Sequence, residues 1–156
     1  IREDMLDRVV RDLPTMVAFR THVENGSMFN TPPVFPIYVL METLRWLKSI
    51  GGVPEIYRRN KEKAALLYDE IDRNPLFRGT VDKQDRSLMN ICFVMADGYE
   101  ELAPEFMEFT KGRGIVGIKG HRLVGGFRAS CYNALPKESV EVLVECMQEF
   151  AAKHAK

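Results

Sequence analysis

Residues 54–73 constrain the chain most. Between Gly51-Gly52 and Asn74-Pro75, the apolar positions Ile56, Tyr57, Ala64, Leu67, Tyr68 and Ile71 recur with charged residues between them, at spacings near the helical 3.6. Pro54 suits a first helical turn, the glycine pair before it accepts the left-handed cap of a preceding helix, and Asn74-Pro75 stops the run. A helix with one apolar stripe buries it only against a second layer. The remaining sequence offers that layer. Residues 87–95, Ser-Leu-Met-Asn-Ile-Cys-Phe-Val-Met, read as a buried strand. A helix is predicted over 98–111 through Leu102, Phe106, Met107 and Phe109, ended by Gly112 and Gly114. Ile115–Ile118 is a second strand candidate and Phe127–Tyr132 a third. Pro136 opens a last helix with the stripe Val140, Leu143, Val144, Met147 and Phe150. The order helix, strand, helix, strand, strand, helix predicts an α/β (α+β) small domain, a small sheet with helices packed on it.

The first third does not fit inside that unit. Residues 1–13 have partly helical spacing and read as a short helix or an irregular lead-in. Residues 14–36 hold Pro14, Gly26, Pro32, Pro33 and Pro36, too many breakers for a periodic element, so a long connection is expected. A helix follows from Ile37 to Ile50, ending at Gly51-Gly52, and forms either a hairpin or one bent rod with the next. The organisation expected is therefore 1–50 as the tail of a preceding domain and 51–156 as a C-terminal small domain. The opening Ile-Arg-Glu-Asp suits a chain that is part of something longer.

Composition narrows the partners. The 156 residues are 46% apolar and 28% charged, enough for a real core. Lys+Arg and Asp+Glu both number 22, which argues against nucleic acid or an anionic membrane as the main partner. No apolar run approaches the roughly 20 residues of a membrane span. Cys92, Cys131 and Cys146 are too scattered for a disulfide framework or a metal site and suit a reducing, cytoplasmic setting.

Three places could carry chemistry. Asn30-Thr31, stiffened by Pro32-Pro33, offers neutral donors for a phosphate, or is an ordinary turn. His121-Arg122, in Lys-Gly-His-Arg on a glycine-rich loop, can clamp an anion, or is a solvated basic turn. Arg128, within Gly-Phe-Arg-Ala-Ser, must be paired, line a cleft, or face water at a strand edge. His22, Glu100-Glu101, Arg58-Arg59 and Gly112-Arg113-Gly114 read as local structure. No phosphate-binding P-loop, GxGxxG or Ser/His/Asp arrangement occurs.

At these same places the sequence resembles a known family. Thr21-His22-Val-Glu-Asn-Gly-Ser-Met-Phe-Asn-Thr-Pro-Pro33, Trp46-Leu47-Lys48 ahead of Gly51-Gly52, and the 119–134 block Lys-Gly-His-Arg-Leu-Val-Gly-Gly-Phe-Arg-Ala-Ser-Cys-Tyr-Asn-Ala closely resemble the C-terminal portion of phosphoserine aminotransferases. The resemblance implies fold-type I enzymes that use pyridoxal 5'-phosphate (PLP), cytoplasmic homodimers with active sites at the subunit interface. They exchange an amino group between O-phospho-L-serine and 2-oxoglutarate, in serine and, in bacteria, pyridoxine biosynthesis. Residues 1–50 would end the large PLP-binding domain. Asn30 and Thr31 match the pair that reaches the cofactor phosphate across the dimer. His121 and Arg122 match the pair that holds the substrate phosphate, and Arg128 the arginine that pairs with the substrate α-carboxylate.

One departure matters. The family's Schiff-base lysine should lie upstream of His22, yet no lysine occurs before Lys48. The 156 residues alone are therefore expected neither to transaminate nor to hold PLP, and the apolar 37–50 helix, without its cover, is expected to self-associate or leave the first third mobile. The alternatives are another fold-type I aminotransferase with a different substrate, and a non-catalytic module that binds an anion or a partner.

Overall fold

The computed structural model describes residues 1–123 and 125–154; Val124, inside the 119–134 block, lies outside them. The chain divides into two compact units, residues 1–49 and 50–156.

In the second unit, helix α3 (Gly52–Arg73) precedes strand β1 (Phe77–Gly79), strand β2 (Asn90–Met95), helix α4 (Ala103–Gly112), strand β3 (Phe127–Ser130) and helix α5 (Lys137–His154). Gly51, at φ 109°, takes the left-handed conformation that glycine permits and sets the start of α3. The sheet is antiparallel in the order β1-β2-β3, with Phe77 opposite Met95, and Cys92 opposite Arg128. Side chains alternate across it. Ile91, Phe93 and Met95 of β2 and Phe127 and Ala129 of β3 are buried, while Asn90, Arg128 and Ser130 are exposed and Cys92 and Val94 half-buried. The covered face packs with Leu67 and Ile71 of α3, Phe106 of α4, and Val140, Met147 and Phe150 of α5. Phe106 is at its centre, with ring centroids 4.9 Å from Phe77, 5.1 Å from Phe127 and 5.1 Å from Phe150.

Two polar devices fasten this layer. Glu70 of α3 is buried and accepts from Gln148 Nε2 of α5 at 2.9 Å, Asn74 Nδ2 at 2.7 Å and Arg73 Nε at 2.8 Å. Burial pushes its carboxyl up, but these donors outweigh burial and hold it below the usual range. Asp72 accepts two bonds from Arg86, at 3.0 and 2.6 Å, and pairs with Lys83 at 2.9 Å. This pins the β1–β2 connection to α3.

The fold class expected from the pattern holds, a small sheet with helices on it, but the element order is corrected. Strand β1 was not foreseen, because three residues are too few to show a period. The candidate strand Ile115–Ile118 does not form. Gly114 and Gly117 adopt φ of 78° and 77°, which breaks an extended run. Only Lys119 forms an isolated bridge, to Phe127, and the Ile118 carbonyl accepts from Arg128 N at 2.7 Å.

The first unit contains a 3₁₀ helix at Glu3–Arg8, a second at Thr15–Val17, α1 (Phe19–Glu24) and α2 (Val34–Ser49). Two expectations are corrected here. The 14–36 stretch contains α1, and α2 starts at Val34 rather than Ile37. Pro36 is tolerated because it falls in the first turn, where its missing N–H would have no helical partner. No residue from 1 to 49 is buried, and Phe35, Ile37, Tyr38, Leu40, Leu44 and Trp46 of α2 are all exposed. No helix among the described residues is long and apolar enough to cross a membrane.

Candidate functional site

The last strand and the turn before it carry three of the five predicted residues. The chain passes from Ile118 through a tight turn into β3. Gly120 N donates to Gly126 O at 2.8 Å, and Gly125 N donates to His121 O at 2.8 Å. Those two bonds close the turn at its base, and His121 and Arg122 are both exposed. Leu123 N donates to His121 Nδ1 at 3.3 Å. A backbone amide only donates, so Nδ1 is the acceptor and the neutral ring carries its hydrogen on Nε2. An anion outside the turn therefore meets a donor at Nε2.

Arg128 follows from the strand's alternation. With Phe127 and Ala129 in the core, its side chain stands on the open face, directly across from Cys92. Ten of the thirteen arginines lie within ion-pair distance of a carboxylate. Arg11, Arg122 and Arg128 have no such partner among the described residues, so two of the three unpaired guanidinium groups are those predicted to hold substrate anions. Arg128 lines a cavity of about 370 Å³ between the outer edge of β3, the 113–118 segment and α5. Ser130, Ser139 and Arg113 add polar groups there, and Arg113 is itself paired with Glu149. His121 and Arg122 are not among the residues lining this cavity. Sequence reasoning passed over Ser130, although its spacing of two from Arg128 on a strand places it on the same face.

Beneath the end of β3, two polar side chains of α3 hold the chain as it leaves. The ammonium group of Lys63, which is 2% exposed, donates to Tyr132 O at 2.7 Å and Leu135 O at 3.1 Å. Asn60 Nδ2 donates to Asn133 Oδ1 at 2.7 Å. Burial lowers the Lys63 pKa and raises that of the neighbouring Cys131 thiol. All three cysteines are free.

Asn30 and Thr31 lie in the first unit, in the turn before α2, and are exposed. The Asn30 amide donates to the Thr31 carbonyl at 3.3 Å, and the prolines after it fix the approach to the helix. His22 stands in α1, and its Nε2 is engaged by Met16 O at 2.9 Å, so backbone satisfies it.

The sequence pattern of the aminotransferase class-V family matches residues 11–143. The chain belongs to that family. The phosphoserine aminotransferase of Phocaeicola vulgatus is 61% identical over 155 residues, which cover 99% of this chain and 44% of that protein. The solved phosphoserine aminotransferase of Bacillus circulans subsp. alkalophilus superposes with a TM-score of 0.89 at 46% identity, over 99% of this chain and 43% of that one. A PLP-bound phosphoserine aminotransferase from Trichomonas vaginalis superposes with a TM-score of 0.83 at 42% identity, over 95% of this chain and 42% of that one. The chain spans under half the length of these relatives, and the likeness first seen at 21–33 and 119–134 extends over nearly all of it.

Proposed function

We propose that this chain forms the C-terminal portion of a phosphoserine aminotransferase. The protein carrying it would transfer the amino group between O-phospho-L-serine and 2-oxoglutarate, as a PLP-dependent homodimer in the cytoplasm. The observation that carries the reading is the pairing of two unpartnered arginines with a histidine on one turn and strand, in a chain 61% identical to a phosphoserine aminotransferase. Phosphoserine is a small amino acid with a dianionic side chain. Arg122 and His121 Nε2–H suit the phosphate, and Arg128 suits the α-carboxylate through its planar fork of donors. Glutamate, which must use the same site, offers a side-chain carboxylate to the same donors.

The donor chemistry fits the phosphate end of PLP in part. Asn30 and Thr31 are exposed neutral donors on a proline-stiffened turn, and they would hold that phosphate from the neighbouring subunit. PLP, when bound, supplies the electron sink for amino transfer. The residues of this chain bind and orient. The proton at Cα falls to a lysine, and none precedes Lys48 here. Residues 1–49 would complete the large domain and 50–156 form the small one. The exposed apolar face of α2 supports that assignment, since such a face is stable only under cover.

The test is amino transfer by the protein that carries this chain, with phosphoserine and 2-oxoglutarate as substrates and glutamate as the product measured. Phosphoserine should be strongly preferred over serine, and Arg122→Ala should abolish most of that preference. Equal use of the two amino acids would overturn the phosphate assignment in favour of another substrate class.

A further inference from the structure

The turn that carries His121 and Arg122 rests on the sheet through Gly126 and closes on itself at Gly120. Gly126 has a φ of 63°, and a Cβ there would stand 2.6 Å from Val94 Cγ1 and 2.7 Å from the Phe93 carbonyl oxygen. Both neighbours belong to β2, the central strand. On the opposite side of the turn, a Cβ on Gly120 would fall inside van der Waals distance of the Gly125 carbonyl oxygen and 2.7 Å from that of Gly126. The obstacles at Gly120 are backbone, and one of the two at Gly126 is as well, so neither position accommodates a side chain unless the turn itself moves. Gly125, by contrast, has nothing within 4 Å of such a Cβ, and neither does Gly112. Within the turn, close approach is thus confined to Gly120 and Gly126, at its base.

We infer that Gly120 and Gly126 are positioning residues for substrate selection: Gly126 seats the His121-Arg122 turn on β2, Gly120 lets the turn close against Gly125 and Gly126, and together they fix the phosphate-holding groups relative to Arg128. The inference rests on the phosphate role proposed above for that turn. The distance between the two anion sites is built through a short path. Arg128 is registered on β2 opposite Cys92, and Gly126 touches the adjacent residues Phe93 and Val94 of the same strand. One strand therefore references both ends of the substrate. A side chain at either glycine lifts the turn and leaves Arg128 in its register, because Arg128 N is held by Ile118 O and the strand by its pairing with β2. Binding should be lost for amino acids that use both sites and kept for those that use Arg128 alone.

The experiment compares Gly126→Ala, Gly120→Ala and the control Gly112→Ala in the protein carrying this chain. Affinities for O-phospho-L-serine, inorganic phosphate and L-serine are measured by calorimetry, alongside steady-state kinetics and thermal unfolding. A misplacement on the ångström scale weakens a positioned contact by one to two orders of magnitude, so phosphoserine and phosphate should bind at least about tenfold more weakly to both glycine variants. L-serine affinity should be unchanged, the rise should appear in KM more than in kcat, and Gly112→Ala should match the parent. If a glycine variant does not fold, Val94→Ile crowds the same contact from the solvent side of β2 and is read the same way. Variants that keep the parent's preference for phosphoserine over serine would overturn the inference. A parent that shows no such preference would instead overturn the proposed function.

Discussion

Replacing Arg128 with alanine separates binding from folding. The side chain stands on the open face of β3 and has no carboxylate partner among the described residues. Its loss strands no buried charge, so stability should change by no more than about 0.5 kcal/mol. The effect on substrate is larger. A guanidinium fork makes two charge-assisted hydrogen bonds to an α-carboxylate, each contributing about 1.5–3 kcal/mol. Losing both should weaken amino-acid binding by about 3 kcal/mol or more, roughly a hundredfold at 1.4 kcal/mol per decade. Arg128→Lys retains the charge without the fork and should recover only part of that loss. The assay pairs dissociation constants for phosphoserine and glutamate with thermal unfolding of the same preparations. Unchanged affinity would refute the carboxylate role. A fall in melting temperature as large as that of a core variant would refute the assignment of Arg128 to an open, unpartnered face.

Two further outcomes follow from the packing and the charges. Phe106→Ala removes a fully buried ring that touches Phe77, Phe127 and Phe150; denaturant unfolding should show a loss of about 3–5 kcal/mol, and a loss under about 1 kcal/mol would contradict a rigid aromatic centre. Arg86 and, less strongly, Lys83 hold the Asp72 carboxyl at about 2, below its ordinary 3.8. The folded value is the lower one, so the ionised group stabilises the fold above pH 4 and that contribution disappears as pH falls towards about 2. The melting-temperature gap between the parent and Asp72→Asn should therefore close over this interval, and a gap independent of pH would refute the clasp.

The sequence disclosed those parts of the fold whose pattern repeats. Helix α3, bracketed by Gly51-Gly52 and Asn74-Pro75, and α5, with its stripe from Val140 to Phe150, stand where periodicity predicts them. Strand β1 escaped because its three residues depend on pairing with β2, a tertiary matter. Ile115–Ile118 misled for the opposite reason: its residues favour a strand, but Gly114 and Gly117 turn the backbone away from one. The short helix α1 was hidden among breakers, and Pro36 masked the true start of α2. At the site, residue types were readable and distances were not. His121, Arg122 and Arg128 stand out as anion-binding chemistry in a family-like block. The tautomer set by Leu123 N and the close approach of Gly126 to Phe93 arise from three-dimensional contacts that no spacing encodes.

Strand alternation makes the orientation of Arg128 an all-or-none property. A slip of one residue between β2 and β3 would turn the guanidinium into the phenylalanine layer and push Phe127 and Ala129 into water. Mutational drift on this strand thus has no gradual route by which the arginine tilts out of use while the domain stays whole. A lineage abandoning amino-acid substrates would have to replace the side chain itself, and the hydrophobic layer underneath guards its direction for as long as the residue remains.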